Sequence, residues 1–201
     1  MSRVFLGEVY KQIRKKAPLV LLLISALPFV LSALLWSNSG FFAVEGEFGF
    51  WTYQMLMLHA AWSLLIPQVV IVYIVASIAD DERQGQILYE MTRVPRRLSI
   101  VLGKVATILF FFSVFALLFA LWGALGFYLF IMRSPYYSAQ DISMAVVAPR
   151  LIVFFVAGVL AALFVYAAAS YVRPLVSLVL VVIVHGVVSS VANQPYWSRV
   201  P

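Results

Sequence analysis

The chain has 201 residues, of which 64% are hydrophobic and 11% charged, and its mean hydropathy is +1.02. Soluble domains are about 45–50% apolar and about 25% charged, so this composition excludes a soluble globular protein and indicates an integral membrane protein. Fourteen Lys and Arg residues outnumber eight Asp and Glu residues, and cysteine is absent, which excludes disulfide frameworks, thiolate nucleophiles and Cys-ligated metals.

The N-terminal segment 1–16 is predicted to be an amphipathic helix on the cytoplasmic face of the membrane. Phe5, Val9 and Ile13 recur at every fourth position, with Leu6 and Tyr10 beside them. The polar residues expected to face away are Glu8, Lys11, Gln12, Arg14, Lys15 and Lys16. Such a helix would lie along the inner leaflet and turn into the first span near Pro18. The alternative is a basic flank that is only partly helical.

Five apolar windows are long enough to cross about 30 Å of hydrocarbon. They are 17–37, 51–79, 105–131, 150–171 and 174–192. Pro67 lies inside the second window and predicts a kink or an aqueous extension there. The sequence therefore predicts an all-α polytopic membrane protein, with the N-terminal interfacial helix, five transmembrane helices within 17–192 and a tail at 193–201.

The distribution of basic residues predicts the orientation of these helices. Eleven of the fourteen Lys and Arg residues fall in the N-terminal segment, the 80–104 connection and the 172–173 turn. Because cytoplasmic loops are enriched in Lys and Arg, these three regions are predicted to be cytoplasmic. Five spans then place the tail 193–201 outside the cell. Topology accounts for most of the basic excess, so nucleic acid is not expected as a partner.

The cytoplasmic connection 80–104 is predicted to contain a short amphipathic helix at the membrane face. Asp80, Asp81 and Glu82 place negative charge where a helix begins, and Pro95 ends the helix before the third span. Its apolar patch consists of Ile87, Leu88 and Met91, and the charges around the patch are Arg83, Glu90, Arg93, Arg96 and Arg97. Such a surface suits a protein partner better than a small ligand.

The order of these features resembles the permease subunit of ABC-2 type ABC transporters over roughly residues 1–130. The residues that carry the resemblance are Glu82, Arg83, Gly85, Pro95, Arg97, Gly103 and Lys104. Gln86 stands where the family often has Thr, and Pro95 comes about one place late relative to Gly85. The family usually has six spans per subunit, so a sixth span would be missing, absent from this form or replaced by a partner.

The resemblance implies a subunit that pairs with a second permease subunit, the same or different, and with separate ATP-binding subunits. The chain itself would need no cofactor, because ATP and Mg would bind to the partner. The residues expected to contact the ATP-binding subunit are Asp81, Glu82, Arg83, Gly85, Ile87, Leu88, Glu90, Met91, Pro95, Arg96, Arg97, Gly103 and Lys104. In a plasma or inner membrane, such a complex would export a hydrophobic or amphipathic substrate such as a peptide, lipid, glycan or drug. The alternative is a non-transporting scaffold or immunity-type subunit that binds a cytoplasmic ATPase or another partner.

No catalytic motif is recognised in the sequence, and the chain is not expected to be an enzyme. Gly103-Lys104 is followed by Val105, so it does not form a phosphate-binding loop. Ser189 and Ser190 lie near His185, but no acid is available to orient the imidazole.

Three polar residues within the predicted spans, His59, Gln68 and His185, are candidates for a substrate path. Gln68 follows Pro67, so its amide could instead satisfy the backbone at the kink. Small residues recur at every fourth position at Ala116, Ala120 and Ala124 and again at Gly158 and Ala162. These stripes predict close contacts between helices.

Overall fold

The computed structural model describes residues 2–36, 47–63, 66–83 and 97–169, together with the single positions 176 and 179. Apart from one isolated β-bridge, the regular structure in these ranges is entirely helical. The α-helices are α1 Ser2–Arg14, α2 Ala17–Ser25, α3 Leu27–Trp36, α4 Phe50–Ser63, α5 Ile66–Arg83, α6 Arg97–Leu129 and α7 Met144–Ala169, and a 3-10 turn covers Ile131–Arg133. The predicted all-helical architecture is confirmed for this part of the chain.

Three of the predicted spans correspond to single apolar stretches, Pro18–Trp36, Leu98–Arg133 and Met144–Ala167. The second window forms two helices, α4 and α5, which are bent by 57° relative to each other. Counted as one broken span, this pair brings the number of candidate spans in the described ranges to four. The fifth window, 174–192, falls almost entirely outside the described residues, so the total of five stays a prediction.

Contacts at the two ends of the α4–α5 pair show that it crosses the fold. α4 begins beside the end of α6, where the rings of Tyr53 and Phe127 lie 5.6 Å apart. α5 reaches α1 through Ser77, and α1 packs on the start of α6 at Gly103. Gly103 and Phe127 are separated by about 36 Å of helix, at 1.5 Å per residue. The N-terminal segment and the ends of the 80–104 connection therefore share one side, as the charge distribution predicts.

Proline residues shape the first two spans. Pro67 is the second residue of α5, where a missing N–H costs no helical hydrogen bond, and it lies beside the 57° bend of the second window, in agreement with the predicted kink. In the first span α2 and α3 separate at Ala26, two residues before Pro28. The carbonyl oxygen of Pro28 accepts a hydrogen bond from Ser32 Oγ at 2.6 Å, and the Tyr53 hydroxyl is also within hydrogen-bond distance of Ser32 Oγ. This buried group ties α3 to α4.

Helix α6 is the central element of the described ranges, because it contacts each of the other six α-helices found there. Gly126 on α6 faces Ser32, whose Oγ would lie 2.2 Å from an added Cβ, and Gly158 on α7 faces the ring of Phe112 equally closely. Gly158 and Ala162 are buried, which confirms the predicted close contact for that stripe.

Helix α1 turns a different face to the protein from the one its amphipathic pattern predicts. Glu8 and Gln12 are almost fully buried, whereas Leu6, Tyr10 and Ile13 are more than half exposed. The expectation that Glu8 and Gln12 face away is therefore wrong, because these two polar side chains turn into the protein. Leu6, Tyr10 and Ile13 are accessible for contact with lipid. The position of α1 relative to the membrane stays a prediction.

Candidate functional site

Helix α1 holds the end of α5 through hydrogen bonds. The Ser77 hydroxyl donates to Gln12 Oε1 at 2.8 Å, and Lys15 Nζ donates to the Ser77 carbonyl oxygen at 2.8 Å. Glu8 forms an ion pair with Lys11 at 3.0 Å on the same helix. Lys16 follows with a φ of 61°, and this left-handed residue turns the chain from α1 into α2. The predicted turn near Pro18 is confirmed.

The same helix packs on the start of α6. A Cβ added at Gly103 would lie 2.7 Å from Val4 Cγ1 and 3.3 Å from the Phe5 amide nitrogen, so the glycine is what permits this approach. Further along, the rings of Phe5 and Phe110 meet edge to face at 5.8 Å. We call the contacts of α1 with Ser77 and Gly103 the α1 joint. The joint connects the two helices that flank the segment 84–96.

Of the thirteen residues predicted to contact an ATP-binding subunit, Gly103 and Lys104 have described side-chain environments. Gly103 is covered by Val4, and Lys104 is 1% exposed, so the fold of this chain already encloses both. Asp81, Glu82 and Arg83 end α5 and Arg97 begins α6, but their side chains lie outside the described set. The others fall in 84–96, also outside it. A direct contact of these residues with a partner stays a prediction.

At the other half of α6, a cavity of about 480 Å³ lies between α4, α6 and α7, with Pro67 of α5 at one end. Its volume is typical of sites for small ligands, which occupy about 300–1,000 Å³. The α4 wall runs from Phe50 to Ala61, a distance of about 16 Å at 1.5 Å per residue. Half of the lining residues on α6 and α7 are aromatic, namely Phe112, Phe115, Phe119, Phe154 and Phe155.

Small residues of α6 make room for this cavity. Ala116 and Ala120, which belong to the stripe predicted to permit close helix contact, line the cavity, because their short side chains leave space there. Helix α4 nevertheless approaches Ala120 closely enough to form a hydrogen bond to its carbonyl oxygen, so the predicted close contact is present at that alanine.

Gln54 is the polar side chain on the cavity wall that the sequence reasoning missed. Its Nε2 donates to the Ala120 carbonyl oxygen at 3.3 Å, and its Oε1 lies over Gly123, 2.6 Å from where a Cβ would stand. Position 54 shares a helix face with the lining residues Leu58 and Ala61, at spacings of four and three. This spacing, which is visible in the sequence, could have indicated that Gln54 lies on the same helix face as Leu58 and Ala61.

The two described residues predicted to line a substrate path, His59 and Gln68, do not line this cavity. His59 is exposed and Gln68 is buried, and neither belongs to the lining of the cavity, although Pro67 does. His185 lies outside the described residues. Among the residues that the structure describes, no group of three His, Asp or Glu side chains could hold a metal ion.

Asp141 forms a polar cap at the end of the fold where α4 begins. Asp141 accepts hydrogen bonds from the Trp51 amide at 2.7 Å, the Thr52 amide at 2.9 Å and the Thr52 hydroxyl at 2.9 Å. Beside it, the Phe48 amide donates to the Tyr136 carbonyl oxygen at 2.7 Å. Burial alone raises the pKa of Asp141, but its hydrogen bonds to Trp51, Thr52 and Ile142 outweigh that effect and hold the pKa below its usual value.

Comparison with known families identifies a family to which most of the chain is similar. The family model described as "ABC-2 family transporter protein" matches residues 5–191, which is most of the chain. No curated protein and no solved structure matches the chain.

Proposed function

The chain belongs to the ABC-2 family of transporter proteins, and on that premise we propose that it is the permease subunit of an ATP-driven exporter. Separate ATP-binding subunits would supply ATP and Mg, and a second permease subunit would complete the pathway. The N-terminus would be cytoplasmic, in a plasma or inner membrane. The observation that carries the proposal is the α1 joint, because it ties together both helices that flank the segment expected to receive force.

The α1 joint supports a mechanical role for these helices. Ser77 on α5 and Gly103 on α6 both contact α1, so a push on the segment 84–96 would move the ends of α5 and α6 together. The break between α4 and α5 would then absorb the movement, since a helix boundary bends more easily than a continuous helix. Because Pro67 lines the cavity at that break, the movement would change the shape of the cavity.

Charge reversal in the segment tests this role. The double variant Arg96→Glu/Arg97→Glu is expected to reduce co-purification of the ATP-binding subunit, or to separate ATP hydrolysis from transport, while membrane insertion stays normal. Arg133→Glu is the matched control, because Arg133 is exposed at the opposite end of α6. Normal recovery of the ATP-binding subunit together with coupled activity in the double variant would refute the docking assignment.

A further inference from the structure

We propose that the cavity between α4, α6 and α7 binds the acyl chain of an anionic amphiphile, with its head near Gln54 and Arg150. The inference deepens the proposed function by naming the ligand class of the cavity. It rests on that function only for the export of the ligand, not for its binding.

The length of the cavity fits an acyl chain that occupies one leaflet. From Phe50 to Ala61 the α4 wall extends about 16 Å, which is close to half of a hydrocarbon core of about 30 Å. Phe50 lies at the capped end of the fold and Ala61 near the break between α4 and α5. The cavity therefore extends from the capped end of the fold to the break between α4 and α5, over about the thickness of one leaflet.

The lining favours a hydrocarbon chain that enters sideways from lipid. Apart from Gln54 and the Trp51 ring nitrogen, the lining side chains are apolar. Leu117 and Leu121 line the cavity and are 63% and 51% exposed, so the space adjoins the outer surface of the helices.

Two groups at the capped end favour a polar, anionic head. Gln54 makes one hydrogen bond within the described part of the chain, to Ala120, which leaves its second amide hydrogen available to a ligand oxygen. Arg150 is exposed and is the sole charged residue of α7. It lies one turn from the lining residue Phe154, toward the beginning of α7. Among the described residues Arg150 has no carboxylate partner within ion-pair distance, so an anionic head would neutralise it.

The test is photolabelling of the purified full chain, in nanodiscs of zwitterionic lipid, with palmitic acid that carries a diazirine at its chain end. We expect saturable labelling near Phe115 and Pro67. Ala120→Leu fills the cavity and should lower the apparent affinity by roughly tenfold or more. Ala124→Leu is the matched control, since Ala124 belongs to the same stripe but does not line the cavity, and it should label like the parent protein. Elution profiles confirm that each variant is folded.

Further variants test the head group and its source. Arg150→Gln should weaken labelling by the fatty acid several-fold but not by the matching fatty alcohol, whereas Gln54→Leu should weaken both. A photoreactive anionic phospholipid competes with the free acid if a membrane lipid is the ligand, and fails to compete if a free amphiphile is. Equal labelling of Ala120→Leu and the parent protein, or labelling mainly at the exposed residues Ile152, Val153 and Leu160, would overturn the proposal. These measurements need no ATP-binding subunit. The labelling experiment and the docking test at Arg96 and Arg97 can therefore each fail without the other, so failure of the cavity proposal is distinguishable from failure of the proposed function.

Discussion

The two halves of α6 have different surroundings: the first packs against polar side chains of α1, and the second borders an apolar cavity. Near its start, Glu8, Gln12 and Lys104 are buried, and the hydrogen bonds of the α1 joint hold α1 against α5. In its second half, Ala116 and Ala120 leave a cavity between aromatic walls. The hydrogen bonds of Gln12 and Lys15 to Ser77 fix one geometry, because displacing α1 would break them. An apolar cavity imposes no such penalty on movement. The comparison indicates a rigid end where force would enter and an adaptable end where a ligand would bind.

The largest effect is expected at the rigid end, from Gly103→Ala. The added Cβ would overlap Val4, whose Cβ would be 2.9 Å away, so α1 must shift from α6. Overpacking of this kind costs about 1–3 kcal/mol. We expect a lower midpoint of thermal unfolding in detergent, and greater thiol accessibility of a cysteine placed at Gln12 in this cysteine-free chain.

Two further variants separate this clash from an effect on helix propensity. Val4→Ala combined with Gly103→Ala removes the shortest of the contacts, the one with Val4 Cγ1 at 2.7 Å, but keeps the Val4 Cβ, so it should restore part of the lost stability. Gly7→Ala is the matched control on α1, because a Cβ at Gly7 meets nothing within 4 Å. It should be neutral or stabilising, since Ala favours a helix over Gly by about 1 kcal/mol. A Gly103→Ala protein as stable as Gly7→Ala would show that the joint is not tight.

The four candidate spans in the described ranges could be predicted from the sequence because lipid requires about 20 apolar residues in a row, which is a local property. The burial of Glu8 and Gln12 could not be predicted. The helical pattern shows which face of α1 is polar, but not whether that face meets water or polar groups of the same protein. The role of Asp141 was missed for a different reason: its partners Trp51 and Thr52 are about ninety positions away in the chain. Gln54 was assigned to no site although its helix face could be read from the spacing.

A smaller effect is expected at the adaptable end, from Asp141→Ala. This substitution removes the acceptor for the first amides of α4 and for the Thr52 hydroxyl. Loss of such a helix cap costs about 1 kcal/mol, toward the lower part of the usual range because Asp141 is exposed. Thermal unfolding should show the loss, and Asp141→Asn, which keeps one acceptor oxygen, should recover part of it. Equal midpoints for Asp141→Ala and the parent protein would contradict the capping role.

The same cap predicts a pH dependence. The pKa of Asp141 is lower in the folded protein than its ordinary value, so its contribution is fully present above the ordinary aspartate pKa of about 3.9. That contribution is lost as the pH falls through the lower, folded value. The difference in unfolding midpoint between the parent protein and Asp141→Asn should therefore be constant near neutral pH and shrink below about pH 4. A difference that grows on acidification would contradict the assignment.

The smallest effect is expected from Gln68→Leu, which distinguishes the cavity from the substrate path predicted from sequence. Gln68 is 2% exposed and stands beside Pro67, yet it does not belong to the cavity lining. Because the side chain does not reach the ligand space, labelling by the photoreactive fatty acid should stay within about twofold of the parent protein, a difference of less than about 0.5 kcal/mol. Gln54→Leu, the same chemical change on the cavity wall, should weaken labelling several-fold. If instead Gln68→Leu weakens labelling and Gln54→Leu does not, the ligand follows the α5 face, and the path predicted from Pro67-Gln68 replaces the cavity proposed here.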